Sequence, residues 1–330
     1  MFKKKALITG ISGQDGSYLA EFLLVKGYEV YGLVKELPNK ENKKIFFRIE
    51  NVLPQITLFE GDITDFKKIQ KIISELVPDE VYDLAAILDP LVSSDTERKI
   101  LLNNLTGVHA ILSSIKEHSP KTKLFFAASS LIFGNPTSFP QNEETPKEPI
   151  TPYGIAKVVG CNLVKMYREV YGVFACYGIL YNHESPRRDS KFLPKKISEA
   201  AVKIKLGLQS ELKLGDLDAV RDWGYAKDYV EAMWLMLQQD KPDDYVIGTG
   251  SSHTVRDILE VAFGELNLDW KKYVVIDNKF IRKRENIPLL ANPQKVEKQL
   301  GWRAHTKFDD LIKILIKHDI TGFTNGKQYE

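Results

Sequence analysis

Along the first half of the chain, short apolar runs alternate with longer stretches whose apolar residues recur at helical spacing. The runs at 6–9, 29–34, 56–60, 80–85, 123–129 and 174–180 read as strands. Between them, 17–26, 66–76, 107–118 and 153–171 carry helical periodicity. Such alternation predicts an α/β fold, a doubly wound parallel sheet of Rossmann-like type with right-handed crossovers. From about Asn182 the rhythm becomes irregular, with a loop at 182–189 and clustered Lys, Pro and Gly. This predicts a smaller, mixed C-terminal part at the carboxyl edge of the sheet, where open α/β folds bind ligands. The expected division is 1–181, with part of 224–250 returning to it, and 182–330 for substrate. The polar stretch 321–330 is expected to fray.

Composition narrows the classes without changing the fold. The 330 residues suffice for a full core, and 43% apolar with 27% charged residues is ordinary for a globular chain. Lys plus Arg number 46 against 44 acids, so a net charge of +2 gives no reason to expect nucleic acid as a partner. The opening Met-Phe-Lys-Lys-Lys is followed by an apolar run that Thr9-Gly10 breaks at once, too short for a signal core. No stretch approaches the roughly 18 apolar residues that cross a bilayer. Cys161 falls in a predicted helix and Cys176 in a predicted strand, so both are expected as buried thiols. That fits a reducing compartment, and a cytoplasmic chain without membrane association is expected.

The first candidate chemistry follows the first strand. Gly10-Ile11-Ser12-Gly13-Gln14-Asp15-Gly16 has the GxxGxxG spacing that tightens a strand-to-helix turn and brings backbone N–H groups to a pyrophosphate. A second element, Gly61-Asp62-Ile63-Thr64-Asp65, follows another strand and offers a carboxylate to an adenine amino group. The second strand ends in Val34-Lys35-Glu36. Lys35 suits an extra ribose phosphate, whereas Glu36 repels one and hydrogen-bonds ribose hydroxyls. NAD is the expected cofactor. Its expected contacts are Gly10, Gly13, Gln14, Asp15, Gly16, Lys35, Glu36, Asp62, Ile63, Leu84, Ala85, Ala86 and Asn104, together with Tyr153 and Lys157.

Tyr153 and Lys157 stand four apart at the start of a helical stretch and so share a face. A lysine near the phenol favours phenolate and makes the tyrosine an acid or base for a sugar hydroxyl. Ser129, ending the preceding strand, is placed to hold that hydroxyl. Together Ser129, Tyr153 and Lys157 form the expected catalytic set of an extended short-chain dehydrogenase/reductase.

Longer matches carry a resemblance. Gly13-Gln14-Asp15-Gly16-Ser17-Tyr18-Leu19, Asn182-His183-Glu184-Ser185-Pro186-Arg187-Arg188 and Arg221-Asp222-Trp223-Gly224-Tyr225-Ala226-Lys227-Asp228-Tyr229-Val230 resemble the GDP-mannose 4,6-dehydratases. Met233-Trp234-Leu235-Met236-Leu237-Gln238 is similar to the same family's wording. The resemblance implies a GDP-linked sugar as substrate, held by Asn182, Lys196, Arg221, Arg282 and Glu285. It also places Arg187-Arg188 in a loop that reaches a neighbouring subunit's cofactor, implying a homo-oligomer, dimer or tetramer; a solvated turn is the alternative for that pair.

The chain departs from this pattern where the chemistry is decided. The family ends its catalytic strand with a Ser/Thr-Ser-Glu triplet, and here the residues are Ser129-Ser130-Leu131. By that resemblance the missing glutamate is the base and acid that removes the C5 proton and expels the C6 hydroxyl, which leucine cannot do. Where the family has Asn-Leu-Ala-Ala-Gln-Ser-His, this chain has Asp83-Leu84-Ala85-Ala86-Ile87-Leu88-Asp89, so a rebuilt sugar pocket is expected. The paired arginines near the adenosine ribose are Lys35-Glu36 here, which again points to NAD.

The expected activity is therefore NAD-dependent oxidation, or the reverse reduction, at C4 of a GDP-linked manno-configured sugar such as GDP-mannose or GDP-manno-heptose, without dehydration. A 4,6-dehydratase using another base, such as Asp89, is the alternative. A silent sugar-nucleotide binder is the reading from a different class, against which the intact Ser129, Tyr153 and Lys157 argue.

Overall fold

The computed structural model describes residues 3–87, 93–280 and 288–324. Its centre is a parallel sheet of β1 (Lys5–Thr9), β2 (Glu29–Val34), β3 (Thr57–Glu60), β4 (Glu80–Asp83), β5 (Lys123–Ser129) and β6 (Ala175–Leu180), completed by an edge strand, Tyr245–Ile247. The order from that edge strand is β6, β5, β4, β1, β2, β3. The chain direction of travel reverses between β1 and β4, and the crevice beyond their carboxyl ends is where such sheets take ligands.

Alternation along each strand explains why the sheet is covered twice. Leu7, Val81, Leu124 and Phe126 join one core, under α2 (Phe66–Leu76), α3 (Ser94–His118) and α4 (Pro152–Tyr171). Their neighbours Ile8, Tyr82 and Phe125 point the other way, into a second core under α1 (Gln14–Val25) and α6 (Ala226–Leu237). Period-two side chains that are apolar on both faces give the continuous hydrophobic runs read in the sequence. Each such large side chain stabilises by about 1.5–3 kcal/mol on burial.

A third core lies among α5 (Leu193–Lys205), α7 (Val255–Glu265) and α9 (Phe308–Thr324), with Ile197, Ile258, Leu311 and Leu315 fully buried. Around it, Asn182–Glu184 pairs in parallel with Trp223–Tyr225, and Val220–Arg221 pairs antiparallel with His253–Thr254. Val274–Ile276 pairs in parallel with Leu212–Leu214. The last named helix, α8 (Gln294–Leu300), contacts the edge strand of the main sheet.

Three differences from the expected elements have physical causes. β4 stops at Asp83, not at 85, because the Thr9 hydroxyl takes the N–H groups of Leu84 and Ala85 at 3.2 and 3.1 Å. α3 begins at Ser94, well before 107, since its first turns are polar; Ser93 caps it by accepting from the Thr96 N–H at 3.2 Å. The tail expected to fray is helical through Thr324, with 325–330 outside the described residues. Both cysteines are buried and free. Among the described residues no helix is long and apolar enough to cross a membrane, and no cluster of His, Cys, Asp and Glu suits a metal.

Candidate active site

The glycine turn is shaped by absent side chains. A Cβ on Gly16 would stand 2.3 Å from the Gly10 carbonyl oxygen, and Gly10 itself has φ +70° and presses on the Leu84–Ala85 backbone. Only glycine meets both demands. Gly13 is the N-cap of α1, and no side chain accepts from the helix's first N–H groups. Those open donors at the positive end of a helix fit a pyrophosphate.

Gln14 and Asp15 use their side chains elsewhere. The Gln14 amide donates to the His183 carbonyl at 3.0 Å and accepts from Ser185 Oγ at 2.8 Å. Asp15 Oδ2 lies 2.8 Å from His183 Nε2. Burial alone would raise the Asp15 pKa, but the His183 charge and hydrogen bond hold it below its ordinary value. Burial likewise disfavours charge on His183, and Asp15 overcomes this to push the imidazole up.

At the adenosine side, Lys35 Nζ and Asp62 Oδ2 form a 3.1 Å ion pair, so two expected cofactor residues meet each other. Glu36 accepts from the Asn39 amide at 3.1 Å. Ile63 is buried against Gly107, where a Cβ would stand 2.8 Å from it. Asn104 clamps the chain just after Ala86, accepting from the Ile87 N–H at 2.9 Å and donating to the Ile87 carbonyl at 3.2 Å. Asp89, the alternative base, lies outside the described residues.

The residues expected to be catalytic converge where β5 ends. Ser129 pairs with Leu180 in register and caps the single turn Ser130–Ile132. Leu131 packs against the core on the α2–α4 face. A Cβ on Gly154 would stand 2.5 Å from the Leu131 carbonyl oxygen, so the start of α4 is drawn tightly onto that turn. Pro152 opens α4, and Thr151 caps it by accepting from the Gly154 N–H at 3.1 Å. Tyr153 thereby sits in the first turn and Lys157 one turn on.

Lys157 is buried, donates to the Ala127 carbonyl at 2.6 Å, and has its ammonium 5.6 Å from the Tyr153 ring centre. Burial lowers its pKa, opposed by the Asp83 carboxylate. Asp83 is itself buried and accepts from the Thr9 hydroxyl at 2.7 Å. Burial pushes the Tyr153 phenol up, and the charge that relieves it most is Arg188.

Among the expected substrate residues, Asn182, Lys196 and Arg221 stand on three different elements. Asn182 leads the short strand beyond β6, in register with Trp223. Lys196 Nζ donates to the Lys213 carbonyl at 2.9 Å and lies 4.5 Å from the Phe280 ring centre. Arg221 donates to the Val220 carbonyl at 2.7 Å and bridges to Leu289. Arg282 and Glu285 lie outside the described residues, but the described residues on either side, Phe280 and Leu289, lie against Lys196 and Arg221. Asp222, next to Arg221, is structural: its carboxylate accepts from the N–H groups of Thr249 and Gly250 at 3.0 and 2.9 Å.

Arg187 and Arg188 do not form a solvated turn. Arg187 donates to Ser17 Oγ at 3.0 Å, pairs with Glu21, and stacks 4.0 Å from the Tyr18 ring centre. Arg188 Nε stands 3.3 Å from Glu184 Oε2, yet is not aimed at it, which leaves both buried atoms without a hydrogen bond. Sequence reasoning did not single out His183, Asp83 or Arg48 as site residues. Arg48 donates to the Arg187 carbonyl at 2.7 Å. Their partners are remote in sequence, so spacing carried no signal for them.

Several known proteins are similar to this chain over most of its length. "GDP-mannose 4,6 dehydratase 2" of Arabidopsis thaliana is 45% identical over 326 residues, covering 96% of this chain and 87% of its own length. The Homo sapiens "GDP-mannose 4,6 dehydratase" is 40% identical over 338 residues, covering 96% and 91%. Among solved structures, a Thermus thermophilus UDP-glucose 4-epimerase in complex with NAD superposes with a TM-score of 0.80 at 26% identity, over 96% of this chain and 98% of that one. A Bacillus anthracis dTDP-glucose 4,6-dehydratase with NAD shares the fold, with a TM-score of 0.82 at 19% identity over 98% of each. Residues 7–315 match the family described as GDP-mannose 4,6 dehydratase, and the chain belongs to that family.

Proposed function

We propose that the chain oxidises C4 of a GDP-linked, manno-configured sugar with NAD and stops at the 4-keto product, retaining the 6-hydroxyl. The observation that carries this reading is Leu131. It follows Ser129-Ser130 where the family pattern has glutamate, and it is half-buried, packed against the core. An isobutyl group neither takes the C5 proton nor gives one to the departing C6 oxygen. General acid–base help of that kind is worth about 10²–10⁴-fold.

The residues for the C4 step remain. Ser129 orients the 4-hydroxyl, and Tyr153 takes its proton as the carbon gives up hydride. Burial pushes the phenol up, Arg188 opposes this, and the Lys157 ammonium stands 5.6 Å from the ring centre, where its charge would favour the phenolate. NAD bound at the glycine turn supplies the hydride acceptor. The open N–H groups of α1 suit its pyrophosphate, Asp62 and Ile63 its adenine side, and Glu36 its ribose rather than an added phosphate. The NAD complexes among the structural relatives support the same cofactor. Asn182, Lys196 and Arg221, with Arg282 and Glu285, are assigned to the GDP moiety, arginine matching diphosphate through its planar fork. The changed residues along 83–89 support a sugar pocket that takes a longer arm at C5, so GDP-manno-heptose stands beside GDP-mannose as substrate.

A second reading, complete 4,6-dehydration, is favoured by the names of relatives 40–45% identical to this chain. Product mass after incubation with NAD and either GDP-sugar separates the two. Loss of two hydrogens supports C4 oxidation alone, and loss of one water overturns it.

A further inference from the structure

The segment that begins at Asn182 is fastened to the first turn of α1. Gln14 holds the His183 carbonyl and Ser185 Oγ, and Arg187 holds Ser17 Oγ at 3.0 Å. At the centre lies His183, whose Nε2 stands 2.8 Å from Asp15 Oδ2 and whose Nδ1 stands 2.6 Å from the Tyr181 carbonyl oxygen. Both ring nitrogens face acceptors only, so both carry protons and the ring is an imidazolium. Its side chain is 11% exposed and its ring stacks on Tyr229 at 4.7 Å.

Burying an ion pair costs desolvation that a packed apolar pair would avoid, so stability is a poor reason for this one. Its position offers another. The first turn of α1 presents the open N–H groups suited to the dinucleotide pyrophosphate, and the His183 segment starts at a residue assigned to the sugar nucleotide. A pyrophosphate at that helix end brings negative charge beside the Asp15 carboxylate. The imidazolium is then held more strongly than in the empty turn, and with it the backbone from Asn182 to Ser185. That difference between occupied and empty turns is what a coupling between sites requires.

We infer that the Asp15–His183 pair couples the two ligand sites, so that dinucleotide and sugar nucleotide bind cooperatively, with His183 and Ser185 as positioning residues. This rests on the functional reading above, which assigns the two ligands. Reciprocity then requires each ligand to tighten the other by the same factor.

The test is calorimetric titration of GDP into the full chain stripped of dinucleotide, and again at saturating NAD. In the unsubstituted protein the GDP Kd should fall about fivefold or more on adding NAD, the lower end of typical coupling. In His183→Gln, and in the milder Ser185→Ala, that ratio should collapse toward one. A ratio of one in the unsubstituted protein, or an unchanged ratio in Ser185→Ala with a folded His183→Gln, overturns the coupling while leaving the functional reading standing. Absence of GDP binding in both states overturns the coupling and the functional reading together.

Discussion

The backbone N–H of Leu131 donates to the Ser129 hydroxyl at 3.3 Å, so the residue proposed to orient the sugar and the residue at the family's glutamate position share one turn. Gly154 packs against the same turn and brings Tyr153 with it. The residues proposed for the C4 step and position 131 thus stand on a single corner of the chain. Changing position 131 alone should alter the reaction's outcome without disturbing its first step.

Leu131→Glu should restore elimination. A product lighter by one water should appear at a rate about 10²-fold above that of the unsubstituted enzyme, read by mass spectrometry. The introduced carboxylate must be ionised to take the C5 proton, which it then gives to the departing C6 oxygen. If Leu131→Glu yields only the product of hydrogen loss, position 131 does not decide the outcome.

Tyr153→Phe removes the proton acceptor while keeping the ring. Turnover should fall by about 10²–10⁴-fold, with GDP binding little changed. Unchanged turnover, measured by product formation, would point to a different acid or base.

Asp83→Asn tests the buried charge facing Lys157. Burial already lowers the Lys157 pKa and Asp83 opposes this, so removing the negative charge lowers it further. The alkaline limb of kcat/KM should move to lower pH. The Thr9 hydroxyl contact survives in the amide, so a pH profile that stays in place would show that Lys157 does not govern that limb.

The Asp15–His183 pair predicts a pH-dependent contribution to stability. His183 is raised above its ordinary 6.5, so its share is full below that value and is lost as pH rises through the folded-state pKa. Asp15 is held below its ordinary 3.8, so its share is full above that value and is lost as pH falls through the folded-state pKa. The Tm difference between the unsubstituted chain and His183→Gln should therefore be largest between pH 3.8 and 6.5 and shrink in alkali. Breaking a buried pair costs at most about 3–5 kcal/mol. A difference independent of pH would mean that packing, not charge, holds His183.

Much of the sheet was legible because a strand buried on both faces has little choice of residue. The run at 123–129 and the alternation of Leu124, Phe125 and Phe126 between two cores are one fact seen twice. The glycine turn was legible for a similar reason, since Gly16 admits no Cβ. The end of β4 was not, because Thr9, remote in sequence, decides it with its hydroxyl. Nor was the use of Gln14 and Asp15. Their side chains bond His183 and Ser185, a partnership only tertiary contact reveals. Lys157 was expected to act on Tyr153; that Arg188, from a distant loop, also opposes the upward push of burial on that phenol was not legible.

In the proposed reaction, hydride removed from C4 is not returned to C6. The most direct test follows the near-ultraviolet absorbance of reduced nicotinamide after GDP-mannose or GDP-manno-heptose is mixed with excess enzyme saturated with NAD. Absorbance should rise stoichiometrically with substrate and persist after the sugar is consumed. A signal that returns to baseline as a product lacking one water accumulates would contradict the proposed reaction.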